Sequence, residues 1–405
     1  MTESGLALDF FTEHFDPYHP TYPAQIIDAV PELHRKCPVA RSDRWGGYWV
    51  TWTYQNMVDV FENWQSFSSV EKKSITPVRD TTPVRPPIAI DPPEQRAYRQ
   101  LLNPYFTPKR IAEFEPGIRA LTDELIDGFI ERGECDLVSE FSREFPGRML
   151  YRFLLNVDAH EAARAHRWTR NLALAPTDPA TRESEAEWVA WVYELIGTRR
   201  AGERRDDVID GLLHNEVNGK LLDDKEIMGV LMILILGGFA TTADAISNAV
   251  YRLGRDPALR DRLRTDRAAI RTAIDELLRY DPPVSVLARL CVKDTEVGGR
   301  LVKAGDRIAV SFIGANRDAA EFADPATLDI DREQNRHLTF GIGVHRCIGS
   351  NVARLNLLVS LEQLLERIGD FRFADGYRDA SRDAAMTWGL NRLPLEFTPG
   401  PKLGG

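Results

Sequence analysis

The sequence predicts a mainly α-helical fold, with a large helical part and a small β-rich part. Runs with helical spacing fill most of the interval 94–280 and return at 350–368, whereas strand-like segments are short and lie towards the two ends of the chain. The 405 residues are 43% hydrophobic, which is enough for an ample core. Because no Gly/Ser linker, low-complexity tract or repeat divides the chain, we expect one domain over residues 1–405.

The individual elements follow from local patterns. Helices are predicted near 23–36, 54–64, 94–103, 109–131, 135–154, 158–173, 183–201, 206–214, 223–253, 256–263, 266–280 and 350–368. Strands are predicted at 38–41, 47–52, 295–302, 307–311 and near 386–398. Gly298-Gly299 indicates a hairpin turn, and Pro282-Pro283 ends the preceding helix.

Charge, hydropathy and cysteine spacing argue against several functional classes. A net charge of -10 makes nucleic acid an unsuitable partner. The N-terminus lacks a basic region followed by an apolar core, and the most apolar stretch, Ile227 to Ala240, is shorter than a membrane span, so we expect a cytoplasmic protein without a membrane anchor. The four cysteines form no Cys-x-x-Cys pair, which argues against a zinc site, and four cysteines in a chain this long argue against a disulfide framework.

The most informative motif has the spacing Phe-Gly-x-Gly-x-His-x-Cys-x-Gly, from Phe340 to Gly349. Its cysteine, Cys347, stands just before an amphipathic helical run, where free backbone N–H groups and the helix dipole stabilise a thiolate. Such a thiolate can hold haem iron and push electron density towards it. Gly341, Gly343 and Gly349 permit positive φ angles and a close approach to a flat macrocycle. Phe340 is placed to cover the sulfur side of that ring.

This spacing resembles the haem-binding loop of the cytochromes P450. The resemblance implies haem b as the cofactor and Cys347 as the proximal iron ligand. It extends by motif from about Pro87 to Arg354 and is closest to the soluble bacterial type. It therefore implies the P450 fold and a monooxygenase that inserts one oxygen atom from dioxygen into its substrate.

A second motif interrupts the central apolar helix with Gly237-Gly238-Phe239-Ala240-Thr241-Thr242. Two glycines cost about 1 kcal/mol each relative to alanine, and threonines can hydrogen-bond back to the preceding turn. The two glycines therefore predict either a local unwinding that makes room for a ligand or a packing notch against another helix. The segment resembles the oxygen-binding groove of P450s, which implies that dioxygen binds beside Gly238 and Thr241.

One position departs from the family pattern. Ala240 occupies the place where relatives usually carry an acid on the proton route, and Asp244, one turn after Thr241, is a possible substitute. The departure keeps a second hypothesis open, namely a haem-thiolate peroxygenase, isomerase or nitric oxide reductase. A non-catalytic haem or ligand-binding protein is a third hypothesis, against which Thr241 argues.

A third motif is Glu276-x-x-Arg279, whose side chains share one helix face and can pair. Its position between the two preceding motifs resembles the structural ion pair of P450s. The resemblance implies that Arg332 is the third member of this network.

The two haem propionates need cationic or hydrogen-bonding partners when buried. The resemblance assigns this role to Arg99, Arg289 and His345, with His337 as a weaker candidate. Gln95 stands where relatives usually have histidine and can still donate a hydrogen bond.

The segments that line the substrate pocket in P450s are apolar here and predict a hydrophobic small-molecule substrate, such as a terpenoid, aromatic or fatty compound. The predicted lining residues are Ile88, Ile90, Leu236, Phe239, Val284, Val286, Leu287, Trp388 and Leu390. The chain carries no flavin or iron–sulfur motif, so we expect electrons from a ferredoxin and its ferredoxin reductase, with an acidic ferredoxin docking near Arg346 and Arg336. We expect a monomer.

Overall fold

The computed structural model describes residues 8–70, 75, 84–174, 179–377, 382 and 386–404. Its helices are α1 (Leu8–Thr12), α2 (Thr21–Lys36), α3 (Tyr54–Glu62), α4 (Glu94–Leu102), α5 (Pro108–Ala112), α6 (Glu115–Asp127), α7 (Phe145–Met149), α8 (Ala159–Leu174), α9 (Pro179–Ala201), α10 (Val208–His214), α11 (Asp224–Arg255), α12 (Pro257–Thr265), α13 (Ala269–Tyr280), α14 (Phe312–Ala315) and α15 (Ser350–Arg367). Helices dominate the described residues, as the sequence predicts.

The strands are β1 (Val39–Ser42), β2 (Tyr48–Thr51), β3 (Phe67–Ser68), β4 (Glu134–Asp136), β5 (Glu216–Val217), β6 (Lys220–Leu221), β7 (Val286–Cys291), β8 (Thr295–Val297), β9 (Arg300–Val302), β10 (Arg307–Ser311), β11 (Arg372–Phe373) and β12 (Pro394–Glu396). The largest sheet has the order β1-β2-β10-β7-β3, and a smaller sheet has the order β11-β12-β4. The pairs β5-β6 and β8-β9 form two hairpins.

The predicted helix over 135–154 is wrong as a continuous element. The segment starts as strand β4, in which Cys135 pairs with Leu395, and continues as two π-helical segments, Val138–Ser142 and Leu150–Leu154, on either side of α7. Pro146 in the first turn of α7 has no N–H to donate and clashes with a regular preceding turn, so one uninterrupted α-helix cannot form there.

Strand β7 is missing from the sequence prediction, because its side chains are apolar or buried on both faces and give little alternation. It pairs antiparallel with β10, with Ala288 opposite Ala309. Alternate side chains of a strand point to opposite faces, so Leu287 and Arg289 share one face and Val286 lies on the other. Val286 packs in a core cluster with the aromatic residues of the N-terminal segment, whereas Leu287 packs against a different cluster.

The long central helix α11 begins at a capping box: Asp223 accepts from the backbone of Glu226, whose side chain accepts from the backbone of Asp223. Helices α7, α8, α9, α13 and α15 surround it. Among the described residues it alone is long and apolar enough to cross a membrane, but 61% of its most apolar window, of mean hydropathy 1.8, is buried within the protein. It is therefore packed as a core helix.

The predicted unwinding of α11 is wrong, because the helix is continuous from Asp224 to Arg255. The hydroxyl of Thr241 donates a 2.7 Å hydrogen bond to the carbonyl of Gly237, one turn earlier, within the intact helix. The space beside this turn therefore comes from the missing side chain of glycine and not from a broken helix.

Candidate active site

The loop that carries Cys347 is shaped by two glycines in left-handed conformations. Gly341 has φ +65° and Gly343 has φ +73°, and a Cβ at Gly343 would lie 2.9 Å from the carbonyl oxygen of Phe61. The backbone N–H of Cys347 donates a 2.8 Å hydrogen bond to the carbonyl of Phe340, which closes the loop. The positive φ angles predicted for Gly341 and Gly343 are confirmed.

Gly349 serves the loop in a different way from the predicted one. Its φ is -83°, in a region open to every residue, so the loop does not use the positive φ that a glycine permits here. Its backbone N–H donates to the sulfur of Cys347, and it directly precedes α15. The thiol therefore lies at the N-terminus of a long helix, where the dipole favours negative charge.

The Cys347 residue has accessible surface, although its thiol is surrounded by protein atoms. The residue is exposed, yet burial by surrounding protein raises the pKa of the thiol, while the Gly349 N–H and the charges of Arg99, Arg346 and Arg354 act to lower it. A group that is accessible and deep at once borders an internal cavity. A metal ion in that cavity would deprotonate the thiol outright.

Two arginines near this loop lack an ion-pair partner among the described residues. Arg289 is 8% exposed, donates only to the carbonyl of Ala288 at 2.8 Å, and lies over the Phe61 ring. Burial lowers its pKa to about 10. The half-buried Arg99 donates to the carbonyl of Arg346 at 3.0 Å. Because an uncompensated buried cation is costly, both guanidinium groups suit an anionic ligand.

The predicted histidines have different surroundings. The Nε2 atom of His345 lies 3.9 Å from Oδ1 of Asp91, and hydrogen bonds from His345 and Ser68 lower the pKa of Asp91 against the opposing effect of burial. His337, by contrast, pairs with Asp275 at 3.2 Å, and its ring lies 5.8 Å from the Phe340 ring. The geometry of His337 therefore indicates support for Phe340 and not a contact with a propionate.

Gln95, the counterpart of a haem-contacting histidine, is 1% exposed and donates a 2.7 Å hydrogen bond to the carbonyl of Val344. It therefore holds helix α4 to the cysteine loop. The residues present nevertheless fit a haem group. An accessible thiol suits the iron, and Arg289 and the half-buried Arg99, which lack an ion-pair partner among the described residues, suit the propionates. The ring of Phe340, covered by Arg354 at 4.6 Å, belongs to the same loop as the sulfur.

Away from its two ends, α11 is accessible mainly around the turn that contains Gly237. Gly237 is exposed and Leu236, Ala240 and Thr241 are partly exposed, although most of the helix is buried. A Cβ at Gly238 would lie 3.1 Å from the side chain of Leu150, so Gly238 is a packing notch. Gly238 is itself partly exposed, and Gly237 is the more exposed of the two glycines on this turn.

Asp244 lies one turn after Thr241 and retains partial exposure. Burial raises the pKa of its carboxyl to about 7, although the charges of Arg143 and Arg382 oppose the shift. A carboxyl with this pKa exchanges a proton near neutral pH, which suits a general acid. A Cβ at Gly389 would lie 1.9 Å from Oδ1 of Asp244, so the carboxyl lies directly against the backbone of Gly389.

The predicted ion network is brought together in full. Arg279 makes two 2.7 Å hydrogen bonds to the two oxygens of Glu276, and Arg332 Nε lies 3.2 Å from the same carboxylate. The sequence reasoning missed Asn335, whose Nδ2 donates to Glu276 at 3.0 Å, and the backbone N–H of Asp329. All of the carboxylate's partners after Arg279 come from the segment that precedes the cysteine loop, so the network anchors this segment to α13.

The predicted pocket residues fall into two groups. Leu236, Val284 and Leu287 are partly exposed, and Ile88 is 43% exposed. The others are buried in packing contacts. Phe239 packs on the His166 ring, Val286 lies on the opposite face of β7 from Leu287, and Trp388 donates from Nε1 to Asp281 at 3.0 Å. Ile90 and Leu390 are 8% and 1% exposed.

The residues around Asp244 that the sequence analysis missed can be recognised only from the folded structure. Arg143 precedes α7, and Arg382 and Gly389 belong to the C-terminal segment, so each is more than 100 positions from Asp244 in the chain. No sequence spacing relates these residues to Asp244. The one hint in the sequence is that Gly389 lies between two apolar residues, Trp388 and Leu390.

Comparisons with known proteins agree with this geometry. The family model described as cytochrome P450 matches residues 192–375. A steroid C26-monooxygenase of Mycobacterium tuberculosis is 33% identical over 360 residues, which cover 87% of this chain and 95% of the relative. The putative cytochrome P450 YjiB of Bacillus subtilis is 31% identical over 359 residues, covering 86% of this chain and 87% of the relative.

The structure of cytochrome P450 CYP109Q5 from Chondromyces apiculatus superposes with a TM-score of 0.86 at 28% identity, covering 96% of this chain and 99% of that one. A second solved structure, CYP109E1 from Bacillus megaterium in complex with testosterone, gives a TM-score of 0.82 at 28% identity, covering 95% and 99%. With the same fold and with similarity to these relatives over most of its length, the chain belongs to the cytochrome P450 family and is a haem b-dependent monooxygenase.

Proposed function

We propose that this P450 inserts one oxygen atom from dioxygen into a hydrophobic small molecule of the terpenoid, aromatic or fatty class, acting as a monomer in the cytoplasm. The observation that carries the proposal is that one fold contains both an accessible thiol, that of Cys347, and an accessible turn of α11 that bears Thr241. Haem bound by the thiolate supplies dioxygen activation and oxygen transfer.

The protein's own side chains and backbone groups would hold the cofactor and favour an apolar ligand. Arg99, Arg289 and His345 would hold the anionic edge of the cofactor, and the Gly349 N–H supports negative charge on the sulfur. The apolar side chains of Leu236 and Leu287 exclude water from the cavity and favour an apolar ligand.

Proton supply is assigned to Asp244 in place of the acid missing at Ala240. The hydrogen of the Thr241 hydroxyl is committed to the Gly237 carbonyl, so its oxygen is left to accept a hydrogen bond from a proton-bearing water. The Asp244 carboxyl, with a pKa of about 7, is the nearest group along the helix that can recharge this water.

Steroids are the first substrates to test, because one relative is named a steroid C26-monooxygenase and a solved neighbour holds testosterone. The test is a titration of the purified ferric protein with a panel of steroids, terpenoids, aromatics and fatty acids, recorded as the spin-state shift of the Soret band. Binding and oxidation of polar compounds only, with no response to any apolar ligand, would contradict the substrate class.

A second candidate function is supported by Ala240 alone: a haem-thiolate enzyme that bypasses the usual dioxygen activation. Turnover driven by peroxide without electron donors would favour a peroxygenase. Rapid NADH oxidation with nitric oxide and no partner protein would favour a reductase, and conversion of substrate without any oxidant would favour an isomerase. Haem binding without any of these activities would favour a carrier or sensor.

We propose that electrons come from an acidic ferredoxin served by a ferredoxin reductase, docking over the cysteine loop. Arg346 is exposed beside Cys347 and bears no carboxylate partner among the described residues, whereas Arg336 is paired with Glu321 at 2.8 Å. Arg346 is therefore the more available positive charge.

Arg346→Glu is expected to slow reduction by ferredoxin about tenfold or more at low salt, with the substrate-induced spectral shift unchanged, because surface charge acts mainly on association. The measurement is stopped-flow reduction of the haem under carbon monoxide. Arg44→Glu is the matched control, an exposed arginine in the turn between β1 and β2. Equal rates for the wild type and both variants would exclude docking at Arg346.

A further inference from the structure

The C-terminal turn Trp388–Leu390 is tied to α11 around Asp244. The side chain of Asn248, one turn beyond Asp244, donates a 2.7 Å hydrogen bond to the carbonyl of Trp388. Gly389 lies so close to the Asp244 carboxyl that no side chain fits between them. The position of the carboxyl and the position of the turn are therefore coupled.

Arg382 links the same two elements. Its Nη1 donates to Oδ1 of Asn248 at 2.8 Å and to the carbonyl of Trp388 at 3.1 Å, and its guanidinium lies 4.5 Å from the centre of the Trp388 ring. Its side chain is 7% exposed, and Asp281, the nearest carboxylate for which the structure gives a contact, is 3.9 Å away. Asp281 is paired more closely with Arg252, and the charge of Arg382 acts on Asp244 as well.

Arg143 also contacts the turn. It precedes α7, and its Nη2 donates to the carbonyl of Leu390 at 3.5 Å. Arg143 and Arg382 are the charged groups that act on Asp244 from the elements packed against it, and both favour the carboxylate form. Each of them also holds a backbone carbonyl of the turn.

We propose that Arg382, assisted by Arg143, is a positioning residue for Asp244, which fixes the carboxyl against the Trp388–Leu390 turn and sets the pH range in which it donates protons. When Asp244 gives its proton to a water at Thr241, the carboxylate that remains is stabilised by both arginines, and solvent water returns the proton. This inference rests on the proposed role of Asp244 as proton donor and extends it to its control by the C-terminal turn.

The first test measures ionisation without turnover. In the unfolded chain the Asp244 carboxyl titrates near pH ~4, but burial raises the folded-state pKa to about 7. The folded state therefore binds the extra proton, and the stability of wild type relative to Asp244→Asn declines from pH ~4 upwards and levels off above about pH 7. The melting temperature of the holoprotein across this range follows the decline.

Arg382→Gln, compared with its own Asp244→Asn double variant, is expected to move the upper limit of this decline to higher pH by roughly one pH unit, because a stabilising charge is removed. Arg382→Lys keeps the charge and is expected to restore the wild-type limit. Arg392→Gln, an exposed arginine just after the turn, is the matched control and is expected to leave it unmoved. Should Arg382→Gln fail to fold, Arg143→Gln carries the same expectation.

The second test is the pH profile of coupling, the product formed per NADH consumed, which is expected to shift in the same direction. If the stability decline of Arg382→Gln and Arg143→Gln levels off at the same pH as in the Arg392→Gln control, the inference is overturned. If Asp244→Asn leaves coupling unchanged, the proposed donor role fails, and the inference fails with it. If Asp244→Asn loses coupling but the pH profile of coupling is unshifted in the arginine variants, the inference is overturned and the donor role of Asp244 stands.

Discussion

Replacing Cys347 by serine is expected to abolish monooxygenase activity, because the hydroxyl cannot supply the thiolate that faces the cavity at the N-terminus of α15. Loss of even an outer partner of a metal site costs roughly 10–100-fold, so loss of the ligand itself should cost at least ~10²-fold. The measurement is the spectrum of the reduced protein with carbon monoxide, together with product formation.

The matched control is Cys37→Ser. Cys37 is half-buried, and its thiol donates to the carbonyl of Val39 at 3.4 Å, a bond that a hydroxyl can also make. We expect this variant to keep the strongly red-shifted Soret band that marks a thiolate ligand. A Cys347→Ser protein that kept this band, or a control that lost it, would place the ligand elsewhere.

Glu276→Gln is expected to have the largest effect on stability. The wild-type carboxylate is 1% exposed and neutralises Arg279 and Arg332, both of which are buried or nearly so. Breaking a buried pair by removing one partner typically costs ~3–5 kcal/mol, since the remaining charge is left uncompensated. Denaturant unfolding of the haem-loaded protein measures the loss.

The control for this prediction is Asp331→Asn. Asp331 pairs with Arg262 at 2.5 Å, a shorter distance than that of the buried pair, but both side chains are about half exposed. Pairs in water contribute only ~0–1 kcal/mol, so burial and not distance should decide the outcome. Equal losses in the two variants would show that the network around Glu276 is not a structural anchor.

The cysteine loop and the ion network show which features can be predicted from residues that are close together in the sequence. Positive φ at Gly341 and Gly343 follows from a turn that only glycine adopts cheaply, and Glu276 meets Arg279 because residues three apart share a helix face. The unwinding expected in α11 was wrong because the hydroxyl of Thr241 is satisfied within a continuous helix. Helix continuity depends on the surrounding packing, which short motifs do not contain.

By itself, the sequence determined the helical class, the thiol at a helix start and the Glu276–Arg279 pair, since each depends on residues close together in the chain. Only the tertiary structure decided which groups face the cavity. Strand pairing placed Arg289 and Val286 on opposite faces of β7, and the surroundings of Asp244 were gathered from segments more than 100 positions away. Charges and backbone carbonyls act through space, so their effect on a carboxyl exists only after folding has brought them together.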